Sequence, residues 1–249
     1  MLSSHMGIDK ISFTGSTATG RKIQEAATRS NLKRVTLELG GKGPALVFDD
    51  ADFDKALFWV TIGITVNTGQ VCAATSRLFI QKSVADTFLT KLTAGLGAMS
   101  QTLVGRPPRP SHEIWPGGGC TAEYDKGGYY IAPTLFLDPD PDEKIWTEEI
   151  FGPVLCVKTF ETEQDAIKMA NDTEYGLSSA IFTKDVARAL RVASSVRTGT
   201  VNVNCNLMVC NQAPMEGFGS SGVGRGLGEY GLAQYTETKT IWISHYSVQ

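Results

Sequence analysis

Histidine and paired cysteine are what this chain has least of. Its 249 residues include three histidines, His5, His112 and His245, far apart in sequence, so no histidine-based metal cluster is visible. The five cysteines, Cys72, Cys120, Cys156, Cys205 and Cys210, are odd in number and form no Cys-x-x-Cys pair. That argues against a disulfide framework and against a structural zinc site, and makes a reducing cytoplasm the default compartment. An excess of one charge is also missing: 23 Lys and Arg against 26 Asp and Glu give a net charge of −3. With no basic stripe, neither nucleic acid nor an anionic membrane is expected as a partner. No uninterrupted apolar run is long enough to span a bilayer. The segment Met1-Leu2-Ser3-Ser4-His5-Met6 lacks the charged and apolar regions of a signal peptide, and Tyr246-Ser247-Val248-Gln249 is no obvious address signal.

What is present is ordinary globular material, 42% hydrophobic and 20% charged, enough for one large domain or two small ones. Strand-like and helix-like stretches alternate, which points to an α/β fold. Ile11-Ser12-Phe13 reads as a strand, followed by a small-residue turn over 14–20 and a helix over 21–28. Strands are expected at 35–39 and 45–48. Asp49-Asp50-Ala51-Asp52 offers N-caps for a helix whose buried stripe is Phe53, Ala56, Leu57, Val60 and Ile64. A turn, Asn67-Thr68-Gly69-Gln70, leads to Cys72. Further strands are expected at 77–81, 131–137, 154–160, 179–182 and 200–204, and helices at 84–98, 163–170 and 186–195. Residues 105–128, with Gly105-Arg106-Pro107-Pro108-Arg109-Pro110 and Gly117-Gly118-Gly119, read as an irregular linker. Residues 217–231 hold seven glycines in fifteen positions. Alternation over residues 236–243, with Thr238, Thr240 and Trp242 on one face, predicts a final strand.

Two segments could carry chemistry. Leu37-Glu38-Leu39-Gly40-Gly41-Lys42 supplies a carboxylate, and Asn67-Thr68-Gly69-Gln70-Val71-Cys72 a thiol, 34 residues apart. A thiol must lose its proton to attack carbon, and a carboxylate can relay that proton through water. Gly69 allows close backbone approach, and N–H groups after such a turn can stabilise an oxyanion. Alone, Cys72 reads more readily as a small buried hydrophobe, and Glu38 equally as a strand-end carboxylate in a salt bridge. Thr14-Gly15-Ser16-Thr17-Ala18-Thr19-Gly20 offers backbone donors that suit a phosphate at a helix N-terminus, or is an ordinary strand–helix turn; it lacks the GxGxxG fingerprint.

Together the segments are far more specific. Phe13-Thr14-Gly15-Ser16, Leu37-Glu38-Leu39-Gly40-Gly41-Lys42, Gly69-Gln70-Val71-Cys72, Glu148-Glu149-Ile150-Phe151-Gly152-Pro153-Val154 and Ser221-Gly222-Val223-Gly224-Arg225 occur in the order seen in aldehyde dehydrogenases. Ala170-Asn171-Asp172-Thr173-Glu174-Tyr175-Gly176-Leu177 and Tyr235-Thr236-Glu237-Thr238-Lys239-Thr240 also resemble that family. The resemblance covers nearly all of the chain except about residues 105–125. It implies that Cys72 is the thiol that forms a thiohemiacetal with an aldehyde, and that Glu38 is the base activating the thiol or the hydrolytic water. Glu149 matches the residue that binds the nicotinamide ribose, Phe151 lies beside the nicotinamide, and Gly15 and Ser16 lie near the pyrophosphate. Arg34 and Glu237 resemble a structural ion pair that organises the site across a subunit interface. Asn204 falls near the substrate and glycine-rich loop.

The resemblance also has departures. The chain starts inside what looks like the cofactor domain, without most of its parallel sheet, the strand and loops for the adenosine, the cofactor-pocket lysine and the oxyanion asparagine. The Pro-Phe-Gly-Gly pattern is Pro214-Met215-Glu216-Gly217, and the glutamate after Gly-Arg is Gly226. The expectation is an N-terminally truncated aldehyde dehydrogenase fold: a twisted, mainly parallel sheet flanked by helices. Residues 1–41 would be a remnant of the cofactor domain, 42–235 the catalytic domain, and 236–249 an oligomerisation strand. The expected substrate is a small-molecule aldehyde or other carbonyl compound, handled by Cys72 and Glu38 without tightly bound NAD(P), in hydrolysis, condensation, cyclisation or isomerisation. NAD(P)-dependent aldehyde oxidation and an inactive binding or partner protein are the alternatives. Unpaired strand edges lead us to expect a homo-oligomer.

Overall fold

Two sheets, one of six strands and one of three, organise the chain. Residues 1–104 and 131–244 are described, in a computed structural model; the expected linker at 105–128 lies outside them. In chain order the elements are β1 (Lys10–Thr14), α1 (Thr17–Arg29), β2 (Arg34–Glu38), β3 (Pro44–Val47), α2 (Phe53–Thr65), β4 (Arg77–Gln81), α3 (Ala85–Val104), β5 (Thr134–Leu137), α4 (Lys144–Thr147), β6 (Val154–Phe160), α5 (Glu163–Asn171), β7 (Ser178–Phe182), α6 (Val186–Ser195), β8 (Thr200–Val203), β9 (Gly222–Val223) and α7 (Gly228–Ala233).

The larger sheet has the order β5-β6-β4-β3-β7-β8, and every neighbouring pair in it is parallel. Its inner strands are buried on both faces, as β3 and β7 are throughout, so they read as continuous apolar runs. Side chains still alternate between faces. Ala45, Val47, Leu78, Ile80 and Phe182 pack against Val60 and Ile64 of α2 and Phe88 and Leu92 of α3. Leu46, Phe48, Phe79 and Ile181 pack on the other face with Trp146 of α4, Ala166 of α5 and Val192 of α6. Local chemistry sets the helix starts: Asp52 accepts from the Lys55 N–H at 3.2 Å, Thr162 and Asp165 form a capping box, and Asp185 accepts from Ala187 and Arg188.

The smaller sheet pairs β1 with β2 in parallel, Lys10 opposite Arg34 and Thr14 opposite Glu38. Its third strand, β9, lies antiparallel to β2, with Glu38 opposite Gly222. The stretch expected to be a turn over 14–20 is mostly helix: α1 begins at Thr17, because Ser16 caps it through the Thr19 N–H. The glycine-rich residues 217–231 contain β9 and the start of α7. Residues 236–243 do not form the expected strand; within the described chain they have no partner edge. Ile241, Trp242 and Ile243 are 72%, 92% and 76% exposed.

Arg77, at the start of β4, is fully buried. It donates to the carbonyls of Lys42 (2.9 Å), Met169 (3.1 Å), Asp172 (3.2 Å) and Ala170 (2.8 Å). Three of these lie at the C-terminal end of α5, where carbonyls left unpaired by the helix favour a cation. Burial pushes the guanidinium down to about 10. Arg77→Met, which leaves these carbonyls without donors, is expected to destabilise the fold by at least about 3 kcal/mol. Urea unfolding measures this, and a change under about 1 kcal/mol contradicts the clamp.

Candidate active site

The end of β2 is where the candidate residues converge. Glu38 is its last residue, and the chain continues as Leu39-Gly40-Gly41-Lys42 between two other segments. A Cβ on Gly41 would lie 2.2 Å from the carbonyl oxygen of Cys72, and one on Gly40 would lie 2.3 Å from Oε2 of Glu149. At Gly41 the obstacle is backbone and no side chain fits, whereas at Gly40 it is the tip of the Glu149 side chain, which would have to turn away. The Gly41 N–H donates to Glu149 Oε1 at 3.0 Å. Glycine here brings the thiol loop and the Glu149 segment against one strand end.

The thiol loop has its own constraint. After α2 the backbone turns through three left-handed residues, Asn67, Thr68 and Gly69, with φ of 49°, 58° and 70°. The Asn67 side chain donates to the Gln70 carbonyl at 3.0 Å and holds the turn closed. Gly69 sits so close to Gly152 and Pro153 that a Cβ would approach the Gly152 carbonyl oxygen to 2.2 Å. The loop bearing Cys72 is thereby wedged against the segment bearing Glu149 and Phe151. Phe151 itself has φ 57° and is 52% exposed.

Three acidic groups share this partly buried region. Burial pushes the Cys72 thiol up, the N–H groups of Ala73 and of Cys72 itself oppose that, and the carboxyls of Glu149 and Glu38 push it further up. A thiol so placed rests protonated, and attack on carbon needs a base. Burial, with Glu216 beside it, pushes Glu38 up to about 7, against the pull of Arg225. Its Oε1 is buried and finds no hydrogen-bond partner among the described residues. A carboxyl titrating near neutrality is matched to taking and returning a proton. Glu149 is also raised by burial, offset by the Gly41 N–H and by Lys42.

Gly15 is tied to Glu38, its N–H donating to the Glu38 carbonyl at 3.0 Å. Gly15 and the exposed Ser16 stand at the C-terminal end of β1 and the N-terminus of α1. Parallel sheets commonly receive ligands at such an edge. Arg34 and Glu237 do pair, at 2.6 Å, and Arg34 also donates to the Thr236 carbonyl at 2.7 Å; both contacts lie within one chain. Asn204 is spent on backbone, donating to the Thr183 carbonyl and accepting its N–H. An open groove of about 500 Å³ runs beside α1, lined in part by Arg21, Gln24, Leu37 and Val223. It contains none of Cys72, Glu38 and Glu149, and its place follows α1 rather than the thiol.

Sequence reasoning missed the cluster around Glu38. Glu216 is 2% exposed and forms an ion pair with Arg225. A charged residue in place of the second residue of a Phe-Gly pair was the available signal. Lys42 was read only as part of a motif, yet it is buried, donates to the Ile145 carbonyl at 2.7 Å and is pushed down to about 8 by burial. The remaining described cysteines, Cys156, Cys205 and Cys210, are free. Among the described residues no group of three His, Cys, Asp or Glu could hold a metal, and no helix is long and apolar enough to cross a membrane.

Comparison with known proteins gives the same direction throughout. The profile of the aldehyde dehydrogenase family matches residues 1–116 and 111–241. An aldehyde dehydrogenase of Emericella nidulans is 44% identical over 268 residues, covering 98% of this chain and 53% of that protein. Aldehyde dehydrogenase 1A1 of Oryctolagus cuniculus is 44% identical, covering 97% and 53%. This chain thus spans about half the length of the curated relatives it matches. Lactaldehyde dehydrogenase of Escherichia coli superposes with a TM-score of 0.86 at 32% identity, over 97% of this chain and 55% of that one. Betaine aldehyde dehydrogenase of Staphylococcus aureus, solved with NAD+, gives 0.80 at 34%, over 94% and 51%.

The raised Glu38 carboxyl has a sign that can be tested. The folded protein holds a proton on Glu38 that the unfolded chain releases near the ordinary value of 4.5. This group's contribution to stability is therefore whole below about pH 4.5 and is lost as pH rises through about 7. Glu38→Gln removes that loss. The melting temperature of the variant relative to wild type is expected to be about 2–4 °C higher at pH 8 than at pH 5. Scanning calorimetry at the two pH values checks it; a difference that does not change with pH contradicts the buried, proton-holding carboxyl.

Proposed function

Because the chain belongs to the aldehyde dehydrogenase family, we propose that it acts on a small-molecule aldehyde by covalent catalysis, with Cys72 as nucleophile and Glu38 as general base. The observation that carries this is the convergence at Gly40–Gly41, which sets the Cys72 loop and Glu149 against the strand end that bears Glu38. In the first step Cys72 Sγ bonds to the carbonyl carbon and the thiol proton passes to Glu38, directly or through water. Charge develops on the carbonyl oxygen, where the N–H groups of Cys72 and Ala73 are the nearest donors the thiol loop offers. In the last step Glu38 takes a proton from the water that cleaves the acyl thioester, releasing the acid and the thiol.

NAD(P) is the family's cofactor, and the described residues fit one half of it. Glu149 and Phe151 would hold the nicotinamide ribose and ring, and Gly15 and Ser16 the pyrophosphate. The cradle left by Gly40 beside the Glu149 carboxyl and the exposed strand–helix turn at Gly15 and Ser16 support that assignment. When bound, the nicotinamide supplies the hydride acceptor for oxidation to the acyl level. Gly15 and Ser16 belong to the strand–helix–strand unit of the smaller sheet, β1-α1-β2, whose strands are parallel. A thiol protonated at rest beside a carboxyl that titrates near neutrality also fits a second reading, in which Cys72 and Glu38 hydrolyse an activated ester or thioester without nucleotide.

We also infer a homo-oligomer, in which a second copy covers residues 236–243 with their exposed Ile241, Trp242 and Ile243; light scattering showing a stable monomer opposes it. The division into a cofactor part at 1–41, a catalytic part at 42–235 and an oligomerisation segment at 236–249 belongs to this reading.

Calorimetric titration of NAD and NADP, followed by assays of aldehydes and activated esters, separates the readings. Aldehyde oxidation predicts nucleotide binding and NAD(P)H formation, lost by about a thousandfold or more in Cys72→Ala and by about a hundredfold in Glu38→Gln. Ester turnover without nucleotide, equally dependent on Cys72, supports the second reading. Turnover unaffected by Cys72→Ala contradicts both.

A further inference from the structure

Glu38 does not face its surroundings alone. Its backbone pairs with Gly222 of β9, and a Cβ on Gly222 would lie 3.7 Å from Cγ of Glu216. Met215 and Gly226 exchange two backbone hydrogen bonds, each of 2.9 Å. This bridge places Glu216 and Arg225, the neighbours of its two residues, on the same side of the glycine-rich stretch, where they form their ion pair. A Cβ on Gly226 would lie 3.4 Å from Oε1 of Glu38, the buried oxygen without a hydrogen-bond partner. Arg225 adds a bond to the Gly224 carbonyl at 2.7 Å, so the guanidinium is held in place from two sides. A buried carboxylate of this kind is costly unless paired, and the pairing fixes where its charge sits.

We propose that the Glu216–Arg225 pair positions Glu38 and sets the pH at which Glu38 can serve as base, making Glu216 a positioning residue for the Cys72 reaction. The inference rests on the reading of Glu38 as base. The charged or titratable groups facing Glu38 are Glu216 and Arg225 from the glycine-rich stretch and Cys72 from its loop. Thr14 of β1 and Gly222 of β9, its register partners, carry no charge. The two members of the pair act in opposite senses. After burial, Glu216 is the next cause holding the Glu38 proton on, and Arg225 works to release it. Arg225 is in turn raised above its ordinary value, first by its bond to Glu216. Removing either member therefore moves Glu38 in a direction fixed by the sign of what remains.

The test is the pH dependence of iodoacetamide alkylation at Cys72, followed by peptide mass spectrometry so that Cys205 and Cys210 are counted separately. Wild type is expected to show a lower limb near pH 7 that belongs to Glu38. Glu216→Gln leaves Arg225 facing Glu38 and should move that limb down by about half a pH unit or more, whereas Arg225→Gln should move it up by a similar amount. Glu216→Asp, which restores the charge, should return it towards wild type. If Glu216→Gln does not fold, Arg225→Gln and Glu216→Asp still carry different expectations, a raised limb in the first and a limb near the wild-type position in the second. A limb lost in Glu38→Gln but unmoved in folded Glu216 and Arg225 variants overturns the role of the pair alone. A limb that persists in Glu38→Gln overturns the reading of Glu38 as base, and this inference with it.

Discussion

The architecture turns on a close approach that only glycine permits. Between β2 and β3 the chain passes so near the Cys72 carbonyl and the Glu149 carboxyl that a methyl group at Gly40 or Gly41 would overlap them. Everything else in the site follows from that contact. The three-stranded sheet ends there, the six-stranded sheet begins there, and the loop after α2 is pressed against it. Gly69 repeats the device from the other side, against Gly152. Three glycine contacts thus join three segments that are up to 115 residues apart in sequence, from Glu38 to Pro153. The conformational entropy lost at such glycines is offset by the burial of the sheets they join.

Electrostatics at the junction are deliberate in their asymmetry. Cys72, Glu38 and Glu149 are each held towards the protonated form, burial being the first cause in every case. The buried cations nearby are spent elsewhere: Arg77 on carbonyls at the end of α5, and Lys42 on the Ile145 carbonyl. Among the described residues no cation draws the thiol into its thiolate form, as a neighbouring imidazolium would. Under the proposed mechanism this keeps the nucleophile quiet at rest and leaves activation to a carboxyl poised near neutrality. A thiol protected this way is a poor target for adventitious oxidation and still within reach of a base.

Much of the fold was legible before any coordinates. The bounds of β4, β6 and α6 agree with the apolar runs and caps that predict them, because those strands are flanked by polar turns and Asp185 marks its helix start. The start of α1 was not, since Thr-Ala-Thr-Gly is small and polar and reads as a turn until Ser16 is seen capping it. Alternation over residues 236–243 suggested a strand, but a strand exists only with a partner, and sequence does not say where the partner is. In the site, Cys72, Glu38, Glu149 and Phe151 were legible as motif members. The pairing of Glu216 with Arg225 was not, because the bridge between Met215 and Gly226 that brings them together is a tertiary event. Glu216 stood out only as a charge where a small residue was expected.

The central claim is that Cys72 forms the covalent bond to the substrate carbonyl. The most direct measurement is acid-quenched mass spectrometry of the protein mixed with a nitrophenyl ester, with the acyl group mapped to its peptide. The account predicts one acyl group, as a thioester on Cys72, which accumulates further in Glu38→Gln because its hydrolysis is slowed. Acylation at Cys205, Cys210 or a lysine, with Cys72 unmodified, would contradict it.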